Sequence, residues 1–185
     1  MGPQHQRIDL STHSSHPPIV GSPATAPRPH TARAVWHSED DTQAYAQALA
    51  RCPAIGNVYI ELQGNLGAGK TTLVRHLLRA LGVSGRIKSP TYAVVEPHEA
   101  GDLSIWHFDF YRFNDPQEWE DAGFRDIFAS PGLKLAEWPN QAAGMLPTPD
   151  LTIAIELTGE DTRQVRFTAG TEAGMVLIQG LPHAL

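Results

Sequence analysis

Gly64-Asn65-Leu66-Gly67-Ala68-Gly69-Lys70-Thr71 matches G-x-x-x-x-G-K-[ST] at every fixed position, and its flanks are of the kind the motif requires. The run Val58, Tyr59, Ile60, Glu61, Leu62 enters it as a strand. Residues 72–81 leave it as an amphipathic helix, with Leu73, Leu77, Leu78 and Leu81 at helical spacing and Gly82 as a C-terminal stop. Glycines let the backbone curl until several N–H groups converge, and the start of the following helix adds its positive dipole end, so such a loop cradles phosphates. Lys70 is then placed to reach the terminal phosphates, and the Thr71 hydroxyl to ligate magnesium. Strand, glycine loop and helix in that order predict a nucleotide-binding α/β domain.

A phosphate loop holds a nucleotide but does not hydrolyse it. Turnover also needs an acidic group at the end of a neighbouring strand, to position magnesium and water. Two carboxylates qualify. Asp109 closes the run Ile105-Trp106-His107-Phe108, and Glu137 closes Leu133-Lys134-Leu135-Ala136. Each follows a strand whose carboxyl end should face the crevice in which such folds bind ligands. Spacing alone leaves a surface carboxylate at a strand end as the alternative for both.

The remaining pattern extends this unit in both directions. Residues 1–33 carry six of the 15 prolines and four of the nine histidines and no aromatic residue, so they cannot bury enough apolar surface to offset chain entropy. They are expected to be a disordered extension, with one domain over residues 34–185. His5, His13, His16 and His30 have no metal-ligand spacing. Ala34 to Trp36 predict a short strand, and Ser38 with Asp41 three residues on predicts a capped helix ending near Cys52-Pro53. Further strands are expected at 92–96, 103–109 and 133–137, helical turns from Pro116 and from Phe124, and a closing hairpin of 151–157 with 163–168. Strands alternating with helices imply a mostly parallel sheet with antiparallel strands at an edge and helices flanking it. A net charge of −6 argues against a direct nucleic-acid surface. One cysteine precludes an internal disulfide, and no run is long enough to span a bilayer, so a soluble, cytoplasmic protein without a membrane role is expected.

Four blocks stand together in order: the glycine loop, Lys88-Ser89-Pro90-Thr91-Tyr92 with Val95-Glu96-Pro97, His107-Phe108-Asp109-Phe110-Tyr111-Arg112, and Glu137-Trp138-Pro139. In this order and spacing, from about Ser38 to Thr168, the chain resembles the TsaE (YjeE) proteins, bacterial ATPases of the tRNA threonylcarbamoyladenosine pathway. The resemblance implies a small P-loop NTPase-like fold that binds ATP and Mg2+ and hydrolyses ATP slowly. It also implies docking on the TsaB and TsaD proteins, with tRNA met only indirectly. By the same resemblance Lys70, Thr71 and Thr72 would hold phosphates and metal, and Thr91 would belong to a switch-like loop sensing the terminal phosphate. Asp109 would be the metal-side acid and Glu137 a second acid near metal or attacking water. Trp138 would shape the nucleotide side of the site. Asn65 departs from the pattern, standing where this family usually has an acidic residue.

Other classes use the same cradle. A small-molecule kinase usually carries an arginine-rich lid, and residues 112–132 contain only Arg112 and Arg125. A GTP switch would carry N-K-x-D, which is missing from a chain whose only lysines are Lys70, Lys88 and Lys134. A nucleotide-binding scaffold without turnover is opposed by Asp109 and Glu137 alone.

Overall fold

Residues 30–182 are described here by a computed structural model. In chain order the elements are β1 (Thr31–Trp36), α1 (Glu39–Arg51), β2 (Tyr59–Gln63), α2 (Lys70–Leu81), β3 (Val95–Ala100), β4 (Leu103–Asp109), α3 (Pro116–Asp121), α4 (Phe124–Ala129), β5 (Leu133–Glu137), β6 (Leu151–Leu157), β7 (Arg163–Ala169) and α5 (Glu172–Gln179). The apolar run that leads into the glycine loop becomes β2, at the centre of the sheet. It pairs in parallel with β5 on one side and β6 on the other, and β4 adds in parallel to β5. The hairpin turns β7 back antiparallel to β6, β1 adds antiparallel to β7, and β3 adds antiparallel to β4. The resulting order is β1-β7-β6-β2-β5-β4-β3, a parallel centre with antiparallel flanks, as the alternation of elements predicts.

Side chains alternate across each strand, and the two faces bury different chemistry. Ile60, Leu62, Ile105, Leu133 and Leu135 pack with Leu73, Leu77 and Leu78 of α2 and Leu49 of α1 in an aliphatic core. The opposite face buries Tyr59, Phe108, Phe110 and Ala136 with Trp119 of α3 and Phe124 of α4. All of β5 is buried because both its faces are covered. Register then brings the functional ends together. Leu62 stands opposite Glu137, and Asp109 opposite Glu137, so the loop after β2 and both carboxylates share one edge of the sheet.

Three expectations are corrected. Residues 1–29 of the expected extension lie outside the described residues, and Thr31 to Arg33 belong to β1, paired with β7. Ser38 caps α1 by backbone only. Asp41 accepts instead from the His37 N–H at 2.7 Å. The strand expected at 92–96 starts at Val95: the Val94 N–H closes a turn onto the Pro90 carbonyl at 2.8 Å, and Val94 itself is left-handed with φ 65°. Pro97 lies within β3, where an edge strand tolerates a missing donor. Arg79, at the exposed end of α2, donates to the Val83 carbonyl at 3.1 Å and to that of Gly85, tying down the chain beyond the helix.

Helix α5 had no counterpart in the sequence reading. The Thr171 hydroxyl accepts from the Gly174 N–H at 3.3 Å and donates to Asp150 at 2.6 Å. A Cβ on Gly174 would come within 1.7 Å of the Asp150 carbonyl, so only glycine lets α5 approach the start of β6. Among the described residues no helix is long and apolar enough to cross a membrane.

Candidate functional site

The glycine loop wraps the start of α2. Gly64, Gly67 and Gly69 all have positive φ (149°, 81° and 111°), which side-chain-bearing residues rarely adopt. At Gly64 an added Cβ would also meet the Ile155 carbonyl of β6 at 2.4 Å. The first bond of α2 runs from the Leu73 N–H to the Gly69 carbonyl. The amides of residues 69–72 therefore have no acceptor within the helix and point out of its positive end.

These amides face a cleft of about 550 Å³. Leu66, Gly67, Gly69, Lys70, Thr71, Thr72, Thr91, Asp109, Glu137 and Trp138 line it, so most of the residues singled out in the sequence meet there. Gly64, Asn65 and Ala68 stand outside the lining and act on its shape. The carbonyls of Gly64 and Asn65 accept from Lys70 Nζ at 2.6 and 3.0 Å, and Ala68 is buried. A second hollow of about 450 Å³, lined by Arg33, Arg166 and Gln164 among others, opens on the outer face of the β6–β7 hairpin. Of the expected site residues it touches Gly64 alone.

The polar side chains of the cleft are interlocked. Thr71 Oγ1 donates to the Glu137 carboxylate, with both oxygens within 3.0 Å. Glu137 Oε1 also accepts from His107 Nε2 at 2.8 Å, and both side chains are buried. Asp109 Oδ2 accepts from Ser89, with Thr91 Oγ1 at 3.4 Å, and Asp109 Oδ1 accepts from the Tyr111 N–H at 3.0 Å. Lys70 is buried with its Nζ 4.2 Å from the centre of the Trp138 ring. Burial pushes its pKa below the ordinary lysine value, while the nearby charges of Glu137 and Asp109 oppose that shift. Trp138 holds its ring there from a left-handed backbone, φ 56°, and packs against Tyr111 at 4.9 Å.

The donor set fits a polyphosphate carrying a hard divalent cation: outward amides, the Lys70 ammonium, the Thr71 hydroxyl and two carboxylates. Among the described residues no group of three or more His, Cys, Asp or Glu is arranged to hold a metal alone. A magnesium ion, which keeps waters and shares phosphate oxygens, needs no such cage.

Three contributors were not among the expected site residues. His107 lies two residues before Asp109, and the period of a strand puts both on one face; that signal was available. Ser89 sits inside the Lys88-to-Thr91 block, whose hydroxyls reach Asp109 only through the fold of the loop. Arg163 starts β7, far away in sequence, yet its Nε donates to the Ala68 carbonyl at 2.8 Å and it lines the cleft. Arg112 also lines the cleft and lies over the exposed ring of Tyr92 at 4.7 Å.

Comparison with known proteins points to one family. The family model described as threonylcarbamoyl adenosine biosynthesis protein TsaE matches residues 36–165. The tRNA threonylcarbamoyladenosine biosynthesis protein TsaE of Haemophilus influenzae is 38% identical over 139 residues, which are 75% of this chain and 87% of that protein. The protein of the same name from Bacillus subtilis is 36% identical over 130 residues, 70% of this chain and 80% of the relative. The crystal structure of Bacillus subtilis YdiB superposes with a TM-score of 0.66 at 26% identity, covering 83% of this chain and 95% of that one.

Proposed function

Because this chain belongs to the TsaE family, we propose that it is a cytoplasmic, magnesium-dependent ATPase of tRNA threonylcarbamoyladenosine biosynthesis, acting on the TsaB–TsaD pair. The observation that carries this reading is the bond from the Thr71 hydroxyl to Glu137. It sets the residue that follows the loop lysine directly against a buried acid, at the edge where Asp109 also ends its strand. In this reading the outward amides of residues 69–72 and Lys70 bind the phosphates. Thr71 and Asp109 hold magnesium, which would neutralise charge on the phosphate oxygens. Thr91, beside Asp109, senses the terminal phosphate. Glu137 orients the attacking water, and Trp138 walls the nucleotide side.

The arrangement also supports slow turnover by the chain alone. A free arginine at the transferred phosphate contributes about 10³–10⁵ in rate in related phosphoryl-transfer sites. Both arginines lining this cleft have contacts elsewhere, Arg112 with Tyr92 and Arg163 with the loop carbonyl.

Glu137→Ala is expected to bind ATP in calorimetry within about threefold of the parent and to lose roughly tenfold or more in phosphate release. Full activity in that variant would remove Glu137 from the chemistry. The partner part of the proposal is read from the ATPase rate with TsaB and TsaD added. Stimulation is the expected result, and a rate unchanged by either protein, without co-purification, would overturn it.

A further inference from the structure

We infer that His107 is the positioning residue of the site, holding the Glu137 carboxylate in its working orientation from beneath α2. The inference rests on the role proposed above for Glu137 and goes beyond it.

His107 is fully buried on β4, on the face that otherwise carries Ile105 into the aliphatic core. Burying an imidazole among aliphatic side chains is unfavourable unless its nitrogens are paired. Its Nε2 lies 2.8 Å from Glu137 Oε1, whereas its Nδ1 is buried with no hydrogen-bond partner. The single bond to Glu137 is thus what the imidazole gains from being there. A carboxylate only accepts, so Nε2 carries the donated hydrogen. The unpartnered Nδ1 is then a bare lone pair, less costly to bury than an N–H. Register makes the contact a fixed one. Leu135 pairs with His107 and Glu137 with Asp109, so the two side chains are diagonal neighbours on one face of the β4–β5 ladder.

Glu137 has two visible supports, and they differ in kind. Thr71 lines the cleft, and its hydroxyl is the group proposed to turn toward magnesium. Metal ligation uses a lone pair of that oxygen and leaves its one hydrogen to donate, so Thr71 holds Glu137 only as firmly as the ligands of the cleft leave it oriented. His107 is fully buried and outside the cleft lining, so its hold on the carboxylate does not depend on what enters the cleft. Partners behind the groups that do chemistry typically matter by about 10–100-fold, and a misplaced group about 1 Å out of line can lose a similar factor.

The test is a double-mutant cycle on ATPase rate with TsaB and TsaD present, together with ADP affinity by calorimetry. His107→Phe fills the space and removes the donor; kcat should fall about 10–100-fold while ADP affinity stays within about twofold. His107→Gln places its amide nitrogen the same number of bonds from Cα as Nε2 and should recover most of the lost rate. His107→Asn, whose amide is too short to reach Glu137, should not, and it serves as the second variant if the phenylalanine protein fails to fold. In a Glu137→Ala background, His107→Phe should lower the rate no further. Equal losses for Gln and Phe, or losses that multiply in the double variant, would make His107 a packing residue and overturn the inference. A slow Glu137→Ala enzyme beside a fully active His107→Phe enzyme would do the same while leaving the role of Glu137 standing. Only a fully active Glu137→Ala enzyme would strike at the function proposed for that acid.

Discussion

The two faces of the sheet are built from different side chains and relate differently to the cleft. Beneath α1, α2 and α5 the core is leucine, isoleucine, valine and alanine, with its aromatic residues gathered where Trp36, Tyr45 and Phe167 meet. Beneath α3 and α4 it is a continuous run of rings. Phe110 lies 5.5 Å from both Phe108 and Phe113, and Trp119 lies 5.5 Å from Phe124. The aliphatic core ends below the strand ends and leaves the chemistry to His107, Asp109 and Glu137. The aromatic core continues upward. Phe110 follows Asp109 directly and donates its N–H to the Glu137 carbonyl at 3.0 Å, and Tyr111 packs at a tilt against Trp138 at the cleft wall. The aliphatic face carries the polar side chains of the site at its upper end, and the aromatic face reaches the same site through the backbone after Asp109 and through the Tyr111–Trp138 contact.

A pair of cavities should break that comparison if it is wrong. Phe110→Ala is expected to lose about 3–5 kcal/mol and Leu49→Ala about 2–5 kcal/mol, since both side chains are fully buried and neither site can collapse freely. Chemical denaturation would measure both losses. Calorimetry with ATP would then separate them: Phe110→Ala should weaken binding severalfold, because the backbone between the two acids loses its anchor, and Leu49→Ala should leave it unchanged. Equal affinities in the two variants would mean that the ring of Phe110 matters no more to the site than Leu49, which packs under α1 away from the cleft lining.

A smaller effect sharpens the same contrast from the aliphatic side. Arg163 belongs to β7, and its reach to the Ala68 carbonyl is the one side-chain bond by which that strand steadies the glycine loop. Arg163→Ala should cost about 1 kcal/mol of loop order, read as roughly a fivefold weaker ATP affinity. Global stability in a thermal melt should be nearly unchanged. No change in affinity would show that the loop is held by its own glycines and Lys70 alone.

How legible each region was in the sequence follows from the range of the interactions that made it. Strand β2, the loop and α2 announce themselves through local rules, a period of two, glycines at the turn and a period of 3.6. Strands β4 and β5 and the β6–β7 hairpin were legible for the same reason, and with them Asp109 and Glu137 as strand-end acids. Local rules could not place α5, whose approach to β6 depends on Gly174 fitting against Asp150. Nor could they reveal the turn at Val94, which is held by the Asp109 N–H from the neighbouring strand at 2.8 Å. The bond from His107 to Glu137 and the reach of Arg163 depend on which strands become neighbours, and sequence order does not contain that. The glycine motif sets the type of site, whereas its supports are set by register between distant segments.

The smallest predicted effect lies on the aromatic side of β2, where a carboxylate takes part in the packing without joining the cleft. Glu61 accepts from the Tyr59 hydroxyl at 2.9 Å. Burial raises the Glu61 carboxyl above its ordinary value, and hydrogen bonds from Tyr59 and Gln63 lower it by less; burial and then Glu61 itself push the Tyr59 hydroxyl upward. A raised folded-state pKa means that the folded protein binds more protons than the unfolded chain. The stability from this group is therefore complete below the unfolded value, near 4.5, and is lost as pH rises through the folded one. Glu61→Gln keeps an acceptor for Tyr59 and removes the charge. It should stabilise the protein at neutral pH by less than about 1 kcal/mol and flatten this part of the pH profile, with the advantage vanishing in acid below the ordinary carboxylate range. Denaturation midpoints of the two proteins across that range would measure it. An advantage that persists unchanged in acid would trace to repacking of the Tyr59–Phe128 contact rather than to charge. In either case ATP affinity should stay fixed, because Glu61 belongs to the ring-filled side of the sheet at a point where that side does not touch the site.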